Sequence, residues 1–196
     1  FQNNDVIVCV PSGNFGNLTA GLFAKKMGLP VKRFIAATNI NKVVPEYLET
    51  GEYKPRESIE TISNAMDVGD PSNFARILEL YNHNWDAINA DIHGTSFTDK
   101  ETRKTIKKVA KQYNYICDPH GAVGYSALQE YLQKDHNKIG IFLETAHPAK
   151  FKAIVEEEIE SAVEMPDRLA KFITRDKLSV KTDNDYDQIK SILLDK

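Results

Sequence analysis

The sequence predicts an α/β fold, three-layered, with a mainly parallel sheet and flanking helices, on three observations. Short apolar runs rich in β-branched residues alternate along the chain with stretches whose apolar residues recur at helical spacing. Strands alternating with helices imply right-handed crossovers, and so a mainly parallel sheet. Each strand-like run also ends in polar or small residues, on the side of such a sheet where ligands gather. At 196 residues the length favours one domain with a sizeable core. We place that domain at residues 1–165 and a helical tail at 166–196.

The first strand is the run Val6-Ile7-Val8-Cys9-Val10, followed by the small polar loop Pro11-Ser12-Gly13-Asn14-Phe15-Gly16-Asn17 and an apolar helical pattern through Lys26. Gly28-Leu29-Pro30 stops that helix, and residues 32–37 form a second strand ending at Thr38-Asn39. A short helix follows, with Val44, Tyr47 and Leu48 on one face and Gly51 closing it. Residues 52–73 show no sustained periodicity and read as a long loop, of the kind that is functional or belongs to an interface. Phe74, Ile77, Leu78 and Tyr81 lie at helical spacing, behind the capping cluster Asp70-Pro71-Ser72-Asn73. Thr98 and Glu101 have the spacing of a capping box, opening a helix with Ile106, Val109, Ala110 and Tyr113 along its apolar stripe. Tyr115-Ile116-Cys117 is expected as a third strand, ending at Asp118-Pro119-His120. Tyr125, Leu128 and Leu132 mark a helix, and residues 139–143 a fourth strand ending at Glu144-Thr145-Ala146-His147. Phe151, Val155 and Ile159 mark a further helix. In the tail, Leu169, Phe172 and Ile173, then Tyr186, Ile189, Ile192 and Leu193, suit two short amphipathic helices packed back onto the body.

The loop at residues 11–17 has the position of an anion site. The first N–H groups of a helix lack intrahelical partners and the helix dipole adds about half a positive charge there, so a phosphate suits it. Gly13 and Gly16 permit close backbone approach, and Ser12, Asn14 and Asn17 offer side-chain hydrogen bonds or caps. The loop has neither the Gly-Lys-Ser/Thr ending of a P-loop nor the G-x-G-x-x-G spacing. The same pattern also suits an ordinary βα turn with a good cap. His120, His147 and Lys150 follow strand ends and are candidates for substrate contact, while each histidine also fits a satisfied turn beside a proline. Lys150 falls in the first turn of a helix, where the dipole disfavours a cation. It therefore suits an anion in the cleft or an exposed salt bridge.

Composition excludes several classes. A formal charge of −3 without a basic block argues against nucleic acid, and no run approaches the roughly 18 apolar residues of a membrane span. Cys9 and Cys117 lie in apolar runs without C-x-x-C spacing, which suits buried free thiols in a reducing, cytoplasmic setting. His83, His93, His120, His136 and His147 lack the spacing of a metal site.

The loop PSGNFGN resembles the cofactor-phosphate loop of the threonine synthases, pyridoxal-phosphate enzymes that share the fold of the tryptophan synthase β-subunit. Ala37-Thr38-Asn39, residues 63–69 with Pro71-Ser72-Asn73-Phe74, Asp118-Pro119-His120 with residues 122–125, and residues 144–151 carry the same resemblance, from about residue 6 to about residue 155. It implies pyridoxal 5′-phosphate as cofactor, with Gly13, Asn14, Phe15, Gly16 and Asn17 around its phosphate and Thr145 as hydroxyl partner of the pyridine nitrogen. From the residues alone, Phe15 also fits core packing and Thr145 a β-branched strand-end residue. The implied reaction converts O-phospho-L-homoserine and water into L-threonine and phosphate. In that family the Schiff-base lysine precedes the phosphate loop, and no lysine here has a matching context. With Phe1 entering a strand within a few residues, the chain is expected to be the carboxyl-terminal part of a longer enzyme, inactive without its amino-terminal part. The alternatives are a non-catalytic anion-binding α/β module and another pyridoxal-phosphate enzyme of the same fold.

Overall fold

The computed structural model describes residues 5–133, 138–173 and 175–194. Strands β1 (Val6–Pro11), β2 (Arg33–Thr38), β3 (Ile92–Ser96) and β4 (Ile139–Phe142) form a parallel sheet in the order β3-β2-β1-β4. Val10 stands opposite Ala36 and Cys9 opposite Phe142, so the apolar runs of β1 and β2 lie centrally. Their continuous apolar character follows from burial on both faces.

Side-chain alternation along the strands divides the core in two. Val10, Phe34 and Ala36 face one way and pack with Phe15, Leu18, Leu22, Tyr47, Phe74, Ile77 and Ile88. These come from the loop after β1 and from helices α1 (Gly16–Lys26), α2 (Val43–Thr50), α3 (Phe74–Leu80) and α4 (Trp85–Asp91). Ile7, Cys9, Ile35 and Ala37 face the other way, onto Met66 and onto Val123, Ala127 and Leu128 of α6 (Pro119–Leu132). Helix α5 (Asp99–Tyr113) packs on α6, and α7 (Lys152–Ile159) on α5. This is the three-layer arrangement expected. The Thr98–Glu101 capping box is present, with Glu101 N–H donating to Thr98 Oγ1 at 3.3 Å and Thr98 N–H to Glu101 Oε2 at 2.8 Å.

One strand is not where the sequence suggested. Among the described residues, 115–117 pair with no strand; they form a connector that buries Cys117 and leads into α6. The third strand is β3, preceded by α4. A short apolar run satisfies a buried connector as well as a strand, because propensity does not specify a ladder partner. The half-exposed β3, Ile92-His93-Gly94-Thr95-Ser96, carries a single large apolar residue, and Gly94 packs on Pro45 and Leu48. Both cysteines are buried free thiols, as expected.

The long loop 52–73 is ordered by buried side chains from the end of β2. Asn39 Nδ2 donates to Thr61 Oγ1 at 2.9 Å and to Asp67 Oδ1 at 2.8 Å, while Asn39 Oδ1 accepts from the N–H of Asn41 at 2.9 Å. Asn41 closes the clamp on the backbone of Ile59, accepting its N–H at 2.7 Å and donating to its carbonyl at 2.8 Å.

The chain divides into units 1–163 and 164–196. The second holds α8 (Asp167–Ile173) and α9 (Tyr186–Leu194), and Phe172, Tyr186 and Leu193 are exposed. Among the described residues no helix is long and apolar enough to cross a membrane.

Candidate active site

The loop after β1 is built as a cradle. Ser12 N–H continues the sheet by donating to Ala37 O at 2.8 Å. The chain then turns at Phe15, whose φ of 61° is left-handed and whose ring is buried in the core. Thr19 stabilises that turn, its N–H and its Oγ1 both donating to Phe15 O, at 2.9 Å and 2.8 Å. The loop's outer side is tied to the segment before α3: Asn14 Oδ1 accepts from Ser72 N–H at 2.7 Å, and Asn73 Nδ2 donates to Asn14 O at 2.9 Å.

The two loop glycines have different reasons. A Cβ on Gly13 would lie 2.6 Å from Met66 Cα and 2.7 Å from Ala65 O, so Gly13 lets the loop press on the backbone of 65–66. A Cβ on Gly16 would meet only Asn73 Nδ2, at 3.7 Å. Protein packing does not demand a glycine there. Gly16 opens α1, whose amino end has no side-chain cap and no acidic residue in its first turn. Gly16 and Asn17 are exposed in a cleft of about 360 Å³ bounded also by Pro11, Ala65, Met66, His120, Thr145, Ala146, Lys150 and Phe151. An uncapped helix end, a bare glycine and a nearby lysine fit a phosphate-bearing ligand, and a hydroxyl across the cleft fits a ring nitrogen.

The structure thus brings together Gly13, Asn14, Phe15, Gly16, Asn17, His120, Thr145 and Lys150. Phe15 contributes its backbone, since its ring is in the core. His147 is outside the lining; its Nδ1 accepts from Ala149 N–H at 3.1 Å, capping the short 3₁₀ turn Pro148–Phe151. His120 is 2 % exposed and both its ring nitrogens are engaged. Nε2 accepts from Ala65 N–H at 3.2 Å, and Nδ1 lies 2.5 Å from Asp118 Oδ1. A nitrogen that accepts an N–H carries no proton, so the ring is the neutral Nδ1–H tautomer, donating to Asp118. Asp118 also caps α6, its Oδ1 accepting from His120 N–H at 2.8 Å. Beside it stands Glu144, whose Oε1 accepts from Asp118 N–H at 3.0 Å. Sequence reasoning missed Glu144, and missed Ala65, Met66 and Phe151 as lining. The signals available for Glu144 were a carboxylate closing an apolar strand and its place at the head of the 144–151 segment that carries the resemblance. Among the described residues no cluster of His, Cys, Asp or Glu could hold a metal ion; His136 lies outside them.

The family model for the pyridoxal-phosphate dependent enzymes matches residues 2–143, nearly the whole sheet domain. The chain belongs to the pyridoxal-phosphate dependent enzymes. Within that family, the model of the carboxyl-terminal region of threonine synthase matches residues 121–193. The threonine synthases of Haemophilus influenzae and Escherichia coli are 45% and 42% identical to 98% and 97% of this chain, which covers 44% of each relative. The solved E. coli threonine synthase superposes with a TM-score of 0.86 at 41% identity, over 98% of this chain and 44% of that one. The pyridoxal-phosphate-bound threonine synthase of Brucella melitensis gives 0.82 at 28% identity, over 97% and 46%. This member of the family therefore corresponds to the carboxyl-terminal part of threonine synthases and spans less than half their length. Its cofactor is pyridoxal phosphate. Serine racemase from Dictyostelium discoideum, at 19% identity and a TM-score of 0.54, shares the fold alone.

Proposed function

We propose that this chain supplies the phosphate-binding and ring-contacting half of a threonine synthase active site, in which O-phospho-L-homoserine and water become L-threonine and inorganic phosphate. The observation that carries this reading is the uncapped amino end of α1, opened by Gly16, in one cleft with Thr145 and Lys150. Pyridoxal phosphate, when bound, supplies the electron sink that lets a proton leave the carbon bearing the amino group. The N–H groups of residues 13–17 and the dipole of α1 bind its phosphate. Thr145 Oγ1 donates to the pyridine nitrogen; a neutral hydroxyl does not hold that nitrogen protonated as a carboxylate would. Lys150, exposed at the rim and without an ion-pair partner among the described residues, offers its ammonium to the substrate phosphate leaving the γ-carbon. His120, closed by Asp118 and Ala65, supports the wall and moves no proton.

The lysine that joins the cofactor comes, on this reading, from a segment outside these 196 residues. The test is borohydride reduction of the pyridoxal-phosphate-loaded intact protein, peptide mapping, and assay of threonine formation from phosphohomoserine. We expect turnover and a label outside this chain. A single stoichiometric label on a lysine within it, or turnover by this segment alone, would show the reading to be wrong.

A further inference from the structure

Behind His120, which lines the cleft, stand two neighbouring carboxyl groups: Asp118, fully buried, and Glu144, half-buried with its Oε2 sealed from solvent. The Asp118 side chain is 0% exposed, and its Oδ1 is taken by two donors from His120. Its Oδ2 is buried without a partner, and so is Glu144 Oε2. The N–H of Asp118 donates to Glu144 Oε1 at 3.0 Å, which sets the two carboxyls side by side. His120 is neutral, so no cation balances them. If both were ionised, two like charges with two buried, unsatisfied acceptor oxygens would stand side by side, an unfavourable arrangement. One proton removes the conflict, because a protonated Glu144 Oε2 donates to Asp118 Oδ2 and satisfies both orphans.

We propose that Glu144 and Asp118 share a single proton, and that this bridged pair makes Glu144 a positioning residue that ties the strand end carrying Thr145 to the floor beneath the phosphate loop. The connection is continuous. Thr145 follows Glu144; Glu144 holds Asp118 through the Asp118 N–H; Asp118 holds the His120 ring; His120 Nε2 holds Ala65 N–H; and Ala65 O lies against Gly13. A Cβ at Gly121 would overlap Glu144 Oε2, so α6 is shaped around this carboxyl. The titratable groups facing Glu144 are Asp118, His120 and, from the connector before α6, Tyr115 and Cys117; Phe151 covers the His120 ring. Burial first, then the neighbouring Asp118 charge, pushes Glu144 from 4.5 up to about 8. Burial opposes ionisation of Asp118 as well, but hydrogen bonds from His120 outweigh it and hold that carboxyl below its usual range.

The sign follows from linkage. Between 4.5 and about 8 the folded protein holds a proton on Glu144 that the unfolded chain lacks. Stability from this group is therefore full below the lower value, falls as pH rises through the window, and levels off above it. The unfolding constant rises by up to about tenfold per pH unit. The role assigned to Thr145 rests on the proposed function; the shared proton does not. In the intact protein, wild type and Glu144→Gln are compared by thermal unfolding of the cofactor-free form and by fluorescence titration with pyridoxal 5′-phosphate, from about pH 5 to about pH 9. Infrared difference spectra report a protonated carboxyl directly. Glutamine keeps the acceptor for Asp118 N–H and supplies a permanent donor to Oδ2. We expect a protonated-carboxyl band in wild type that is absent in the variant. Stability and cofactor affinity should decline with rising pH in wild type relative to the variant, which should hold its affinity above pH 8. No such band, or superimposable pH profiles, overturns the proposal, and the infrared spectrum of wild type decides it even if the variant does not fold. Failure to bind pyridoxal phosphate at any pH would strike the proposed function, while the band and the unfolding profile would still report on the pair.

Discussion

The two glycines of the proposed phosphate loop should respond in opposite ways to the same added methyl group. In Gly13→Ala the new Cβ would stand 2.6 Å from Met66 Cα and 2.7 Å from Ala65 O. Both are backbone atoms, which cannot rotate away as a side chain could, so the loop and the 65–66 turn must separate. Overpacking of this kind costs about 1–3 kcal/mol. In Gly16→Ala the new Cβ meets Asn73 Nδ2 at 3.7 Å, ordinary contact, and φ there is not left-handed. Alanine is also the better helix former, so the cofactor-free protein should keep its stability or gain a few tenths of a kcal/mol. The methyl would instead occupy the space in which a phosphate approaches the first N–H groups of α1. Displacing one charge-assisted hydrogen bond, worth about 1.5–3 kcal/mol, should weaken cofactor binding by roughly ten- to hundredfold. Thermal unfolding of the cofactor-free intact protein and fluorescence titration with pyridoxal 5′-phosphate separate the two effects. A Gly16→Ala protein that binds as wild type would remove this loop from the phosphate site. A Gly13→Ala protein as stable as wild type would refute the packing argument.

Thr145→Val preserves shape and β-branching but deletes the hydroxyl. Loss of a neutral hydrogen bond, with its acceptor left unpaired at about 1–3 kcal/mol, should lower cofactor affinity by on the order of tenfold and reduce turnover, with the unfolding midpoint unchanged. Wild-type affinity and turnover would reduce Thr145 to a strand-end residue. Asn39→Ala removes the donor to Thr61 and Asp67 and the acceptor for Asn41, so stability should fall by about 1–3 kcal/mol. Limited proteolysis should then cut first between residues 52 and 73; an unchanged cleavage pattern would mean that the loop is held by something other than this clamp.

The sequence by itself determined the elements whose signal is local. The apolar runs that became β1, β2 and β4 are buried on both faces or paired along a ladder, and such runs are legible without their partners. Thr98 and Glu101 found each other because a capping box is closed within one helical turn. The loop proposed to hold the phosphate was legible for the same reason: its strand, glycines and helix start are contiguous, and the features that suit it to an anion lie within seven residues. Pairing and protonation belong to the tertiary structure. Only the assembled sheet showed that Ile92–Ser96 pairs with β2 while residues 115–117 pair with no strand among the described residues, because strand identity depends on which backbone donors stand opposite. Only the fold distinguished Gly13, pressed against Met66, from Gly16, where a Cβ would make only ordinary contact with Asn73. Glu144 and Asp118 are 26 residues apart. Each reads in sequence as an ordinary ionised side chain, and the proposed sharing of one proton arises only where folding buries Asp118, half-buries Glu144 and sets them side by side.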